Sequence, residues 1–132
     1  MKVYVAYKFS NIQNKQGLRE EVQTVAIILE SKGHVTYILG RDLQKWQDFT
    51  HTMRHKMRAI LSQIKNSDAV FAYVNSSVFS KGLLFELVAA KLLGKPVTMA
   101  VRNSVKPSFI EKLANKVVRY NSVNDLDGLV EF

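Results

Sequence analysis

Ala69-Val70-Phe71-Ala72-Tyr73-Val74, then Asn75 to Phe79, then Ser80-Lys81-Gly82-Leu83-Leu84-Phe85-Glu86-Leu87: an apolar run, a short connection and the head of a second apolar run with one acid inside it. The first run is short, β-branched and aromatic, as a strand buried on both faces is. The second continues through Ala89, Ala90 and Leu93 to Gly94-Lys95-Pro96, a helix with its stop signal. Gly82 suits a strand-to-helix turn that needs unusual dihedrals or a close backbone approach. The amides from Ser80 to Leu83 are then the unpaired donors of a helix N-terminus, which favours an anion. Ser80, Lys81 and Gly82 are therefore candidate ligand-binding residues.

Glu86 lies about one turn into that helix among apolar neighbours. Lys91 is five residues on, roughly 140° round the helix at about 100° per residue, and is no close partner. The acid also comes too late for a capping box. Two readings stand. One is a first-turn carboxylate that favours the helix dipole and faces solvent. The other is a carboxylate held at the mouth of a parallel sheet for nucleophilic work.

Outward from this stretch the pattern repeats. Lys2 to Tyr7 reads as a buried strand. Lys8 to Gln16 is a polar loop. Leu18, Val22, Val25, Ala26 and Leu29 recur at helical spacing before Gly33. His34 to Leu39 is a second strand. In the segment Arg41 to Thr50, Trp46 and Phe49 read as packing anchors in preference to base-stacking groups. Met53, Met57, Ile60, Leu61 and Ile64 form an apolar helical stripe, with His51, Arg54, His55 and Arg58 clustered on the other side as a solvated basic face. His51 and His55 have the spacing of a metal pair, but no Glu stands beside His51 and no third ligand is evident, so no metal is expected. Val97 to Val101 is a fourth strand, Lys106-Pro107-Ser108 opens a short helix, Lys116 to Tyr120 is a fifth strand, and Ser122 caps a last helix to about Val130.

Alternation of strand and helix with short connections implies a parallel sheet covered on both faces. The expectation is a single α/β domain over residues 1–132, a flavodoxin-like doubly wound five-stranded parallel sheet in the order 2-1-3-4-5. Ligands of such sheets bind outside the carboxyl ends of the strands, at the switch point between strands one and three. That rule brings Tyr7, Lys8 and Asn75 to the Ser80–Glu86 stretch, with Lys8 a candidate phosphate ligand and Phe9 a candidate base-stacking group. Dinucleotide-fingerprint and Walker patterns are absent.

The 132 residues carry a net charge of +8 and no cysteine. The charge suits an anionic ligand, nucleotide or nucleic acid, and equally suits solubility. The lack of cysteine excludes disulfides, thiolate catalysis and Cys-ligated zinc. No apolar run approaches the roughly 20 residues of a membrane span and no signal peptide is visible, so a cytoplasmic location is the default.

Lys2-Val3-Tyr4-Val5-Ala6, Asn66-Ser67-Asp68-Ala69-Val70, Ser80-x-Gly82-x-x-x-Glu86-Leu87 with Ala90, and Gly94-Lys95-Pro96-Val97, in this order, resemble the nucleoside 2-deoxyribosyltransferase-like family, which includes the deoxynucleoside 5'-monophosphate N-glycosidases. The resemblance covers nearly the whole chain. It implies that Glu86 attacks the anomeric carbon of the sugar, that the base departs, and that water or a second base resolves the glycosyl-enzyme ester. It implies that Tyr4 orients the carboxylate, and that Ser80, where transferases tend to have Asp, accommodates a 5'-phosphate. It further implies a nucleotide or nucleoside substrate, hydrolysis in preference to transfer, no cofactor, and a homodimer or higher oligomer whose neighbour completes the site. Three departures are visible. Ile60 stands where the family often has an acid, the segment Asn75 to Phe79 is longer than in the hydrolases, and Tyr7-Lys8-Phe9 replaces a glycine-containing turn. The competing expectations are a TIR-like domain that cleaves the nicotinamide bond of NAD, a non-catalytic nucleotide sensor, and, less favoured, a nucleic-acid-binding module using Arg54 and Arg58.

Overall fold

The structure, a computed structural model, describes residues 1–7, 15–38, 53–75, 81–106 and 109–129, with the side chains of residues 15 and 53–56 outside that set. Five parallel strands, β1 (Lys2–Tyr7), β2 (Val35–Ile38), β3 (Ala69–Val74), β4 (Val97–Arg102) and β5 (Lys116–Tyr120), lie in the order β2-β1-β3-β4-β5. Helices α1 (Lys15–Ser31), α2 (Met53–Lys65) and α3 (Lys81–Leu92) connect them in the expected alternation. A five-residue 3-10 segment, Phe109–Leu113, stands between β4 and β5. After β5, a 3-10 turn at Val123–Asp125 leads into the short helix α4 (Leu126–Leu129).

The strands form where the sequence is continuously apolar because the sheet is covered twice. β3 is buried at all six positions and β1 and β4 at five of six. The edge strands β2 and β5 carry the exposed positions, Val35 and Val117 among them. Strand parity divides the core. Val3, Val5, Tyr7, Phe71 and Tyr73 face α1 and α4. Tyr4, Ala6, Val70, Ala72 and Val74 face α2 and α3. Each fully buried Leu, such as Leu29 on the first side and Leu87 on the second, contributes about 2–3 kcal/mol.

Polar residues at the strand starts set the register. The Asp68 carboxylate accepts the Lys2 backbone N–H at 2.8 Å while the Asp68 N–H donates to the Lys2 carbonyl at 2.8 Å. Asn115 does the same for Val97, accepting its N–H at 2.9 Å and donating to its carbonyl at 2.8 Å. Helices α1 and α3 end alike. Gly33 (φ 90°) and Gly94 (φ 71°) take the left-handed conformation. The next N–H reaches five residues back in each case, His34 to the Leu29 carbonyl at 3.2 Å and Lys95 to the Ala90 carbonyl at 2.9 Å.

Three expectations need correction. The α2 stripe is narrower than its periodicity suggests: Ile60 and Ile64 are buried, while Met57 and Leu61 lie on the flank and stay about two-fifths exposed. The last helix opens as a 3-10 turn, where the Asp125 carboxylate accepts the Ser122 N–H at 2.9 Å, and is α-helical only over Leu126–Leu129. Gly82 is the second residue of α3 and helical, so it does not supply unusual turn dihedrals. Among the described residues no helix is long and apolar enough to cross a membrane.

Candidate active site

Glu86 is the one acid of α3, and the structure settles which way it faces. It is 5% exposed, turned onto the sheet with Leu83, Leu87 and Ala90. The solvent-facing reading is therefore overturned. α3 is apolar nearly all round, so the outward positions go to Val88 and Leu92 instead. The sheet beneath offers it a polar partner. Tyr4 lies on the α2/α3 side of β1, fully buried, and its hydroxyl donates to Glu86 Oε2 at 2.5 Å. The partners are 82 residues apart in sequence and meet because β1 and β3 are neighbours and α3 crosses back over them.

Two opposing effects set the acidity of Glu86. Burial among apolar side chains disfavours the charged form, and the Tyr4 hydrogen bond favours it. Burial is larger, and the carboxyl is pushed up to about 8 from its ordinary 4.5. No basic side chain pairs with it among the described residues. Tyr4 is itself raised well above the ordinary phenol range, first by burial and then by the adjacent Glu86, so it remains a donor throughout the neutral range. A carboxyl of this kind can act as an acid below about pH 8 and as a desolvated, nucleophilic carboxylate once ionised.

Tyr37 completes the wall on the β2 side. It is the register partner of Tyr4, and the two rings stack with centroids 5.7 Å apart and planes 23° from parallel. On the α2 side the wall is apolar. Ile60 is 8% exposed and belongs to the core cluster that holds Tyr4 and Leu83, so no second carboxylate stands at that position.

The other candidates divide. Lys81 and Gly82 are exposed residues of the first turn of α3. Tyr7 and Asn75 are not brought to Glu86: Tyr7 sits in the core on the α1 side, and the Asn75 amide donates to Glu21 of α1 at 3.0 Å. Period two decides this, since Tyr4 and Tyr7 fall on opposite faces of one strand. Lys8, Phe9, Trp46, Phe49, His51 and Ser80, with the side chains of Arg54 and His55, lie outside the described residues.

Two residues escaped the sequence reading. Tyr37 shares the parity of its partner Tyr4, and that parity was its only signal. Glu21 stands three residues after Leu18, on the apolar side of α1, where an acid is out of place.

No family model matches the sequence, and no curated relative does. Solved structures match in fold. The CMP N-glycosidase BcmB of Clostridium botulinum superposes with a TM-score of 0.71 at 15% identity, over 98% of this chain and 97% of its own. A 2-deoxyribosyltransferase from Bacillus psychrosaccharolyticus also reaches 0.71, at 20% identity over 100% of this chain and 93% of its own. The 2-desoxiribosyltransferase of Leishmania mexicana reaches 0.57 at 19% identity, over 84% of this chain and 69% of its own. At these identities the likeness is one of fold, and in the first two it extends over nearly the whole chain.

Proposed function

We propose that the chain is a nucleoside 2-deoxyribosyltransferase-like N-glycosidase, cleaving the base–sugar bond of a nucleoside 5'-monophosphate or nucleoside with Glu86 as nucleophile. The observation that carries this reading is the buried Tyr4–Glu86 hydrogen bond, a lone carboxylate with a fixed donor beneath an apolar helix. Its setting, in a fold shared with a CMP N-glycosidase and with deoxyribosyltransferases, supports the same substrate class. Residues Tyr4 and Glu86 also match the motifs on which the sequence resembles that family.

In the first step the ionised Glu86 oxygen bonds to the anomeric carbon, the carbon–nitrogen bond breaks, and its electron pair leaves with the base, which takes up a proton. The transition state has oxocarbenium character, which an adjacent carboxylate stabilises. In the second step water attacks the same carbon and gives up a proton to solvent, the anomeric carbon–oxygen bond of the ester breaks, and Glu86 leaves as a carboxylate. Tyr4 holds the attacking oxygen in one orientation and tempers its basicity. Ser80 and the first amides of α3 receive the 5'-phosphate, and a second copy of the chain completes the site.

The test is free-base release, by chromatography, from nucleosides, ribo- and deoxynucleoside 5'-monophosphates and NAD, with wild type and Glu86→Gln side by side. Release from monophosphates that disappears in the variant is expected. Release from NAD alone would favour a TIR-like enzyme, and no release from any substrate would overturn the enzymatic reading. Ser80→Ala is expected to raise KM for monophosphates by about tenfold and to spare nucleosides. An equal effect on both would remove its phosphate role.

A further inference from the structure

A second carboxylate gathers the polar groups at the carboxyl end of the sheet, on the face opposite Glu86. Glu21 accepts hydrogen bonds from the Tyr73 hydroxyl at 3.1 Å, from Asn75 Nδ2 at 3.0 Å and from Arg102 Nη2 at 2.6 Å. The Tyr73 ring stacks on Tyr120 with centroids 5.4 Å apart, and the Arg102 guanidinium lies 5.9 Å over the same ring. The Tyr120 hydroxyl donates to the Val74 carbonyl at 3.2 Å. The ends of β3 and β4 are thus tied to α1 through one side chain, and Tyr120 packs the end of β5 against both.

This arrangement fixes the direction of an amide. A carboxylate held by a guanidinium offers only lone pairs. It takes the NH2 end of Asn75 and refuses the carbonyl end, since turning the amide over would set two acceptors against each other without a proton. Oδ1 therefore points away from Glu21, and among the described residues it accepts no hydrogen bond. Asn75 is half-buried and is the first residue beyond β3, at the strand ends where ligands of such sheets bind.

We infer that Asn75 is a specificity-determining residue, presenting its Oδ1 as an acceptor of fixed direction to an N–H or O–H donor of the substrate, with Glu21 and Arg102 as the residues that position it. The donor is a sugar hydroxyl or the exocyclic amine of the base. The inference rests on the nucleotide reading of the site but not on turnover. A site built to hydrogen-bond a substrate donor discriminates against an analogue that lacks it.

The test is equilibrium binding in the Glu86→Gln background, so that the nucleotide stays intact. The ligands are CMP, dCMP without the ribose 2'-hydroxyl, the 3'-deoxy analogue, and UMP without the exocyclic amine. Asn75→Ala is expected to weaken CMP by about tenfold while leaving unchanged the one analogue that lacks the contacted donor, and that analogue identifies the donor. Glu21→Gln, whose amide no longer forces the direction of Asn75, is expected to weaken the same ligands and spare the same analogue. Thermal melts of each variant separate misfolding from lost recognition. Uniform weakening of all four ligands by Asn75→Ala, no weakening, or no binding of any nucleotide by the parent protein would overturn the inference. The expected pattern without base release from wild type would leave it standing and remove only the glycosidase.

Discussion

Each face of the sheet sets a carboxylate beneath a helix, Glu21 under α1 and Glu86 under α3, and the two are treated in opposite ways. Under α1, Glu21 is given three donors, one of them a guanidinium. Under α3, Glu86 is given one neutral donor and an apolar shell. The first environment supplies hydrogen bonds and ties strands to a helix. The second withholds solvation and leaves the carboxyl high, at about 8. A carboxylate kept short of partners in a folded core costs stability, and such sites concentrate where chemistry is done. On the proposed function, the contrast separates a carboxylate that positions from one that reacts.

The largest effect expected from breaking the contrast is on turnover. Glu86→Gln removes the proposed nucleophile and should lower base release by on the order of 10³-fold or more while the circular dichroism spectrum stays native. The same variant sharpens the contrast in stability. A carboxyl whose folded value is about 8, against an ordinary 4.5, contributes stability that is fully present below pH 4.5 and lost as pH rises through 8. Glu86→Gln should therefore gain on wild type in melting temperature between pH 5 and pH 8, by several degrees on the order-of-magnitude conversion for a domain of this size. A constant difference across that range would mean that Glu86 is not held high.

Tyr4→Phe is expected to act less on rate and more on its pH dependence. The Tyr4 hydrogen bond lowers the Glu86 value against burial, so its loss moves the ionisation further up. The rising limb of kcat/KM should shift to higher pH, with kcat at neutral pH down by about 10- to 100-fold. An unshifted limb would deny the orienting bond a role in acidity.

On the other face the smallest effect on chemistry is expected. Arg102→Ala strips Glu21 of its cation and should cost about 1–2 kcal/mol by urea denaturation, a figure held down because the two side chains are 35% and 24% exposed. The Arg102 Nε, buried without a hydrogen-bond partner among the described residues, limits the gain from that pair further. A loss of turnover as large as that of Glu86→Gln would erase the distinction between the two carboxylates.

The fold was legible because a doubly covered parallel sheet leaves unbroken apolar runs, and β3 and β5 fall on the residues expected of them. The ends of α1 and α3 were legible because Gly33 and Gly94 occupy conformations that disfavour other residues. The site was legible only in part. A single acid on an all-apolar helix has no periodicity to orient it, so the burial of Glu86 emerges only when α3 is laid on β1. Its pairing with Tyr4 came from resemblance, since no local pattern joins residues so far apart. Tyr7 and Asn75 follow the strand-end rule, which says where ligands bind but not which face a side chain takes. Strand parity supplies that, and it assigns both to the side of Glu21.

The most direct measurement of Glu86 as nucleophile is mass spectrometry of protein quenched in acid during turnover of the best monophosphate, followed by peptide mapping. A pentosyl-phosphate adduct on the peptide containing Glu86, absent from Glu86→Gln, is the expected result. Continued base release by Glu86→Gln, or an adduct carried by another residue, would contradict it.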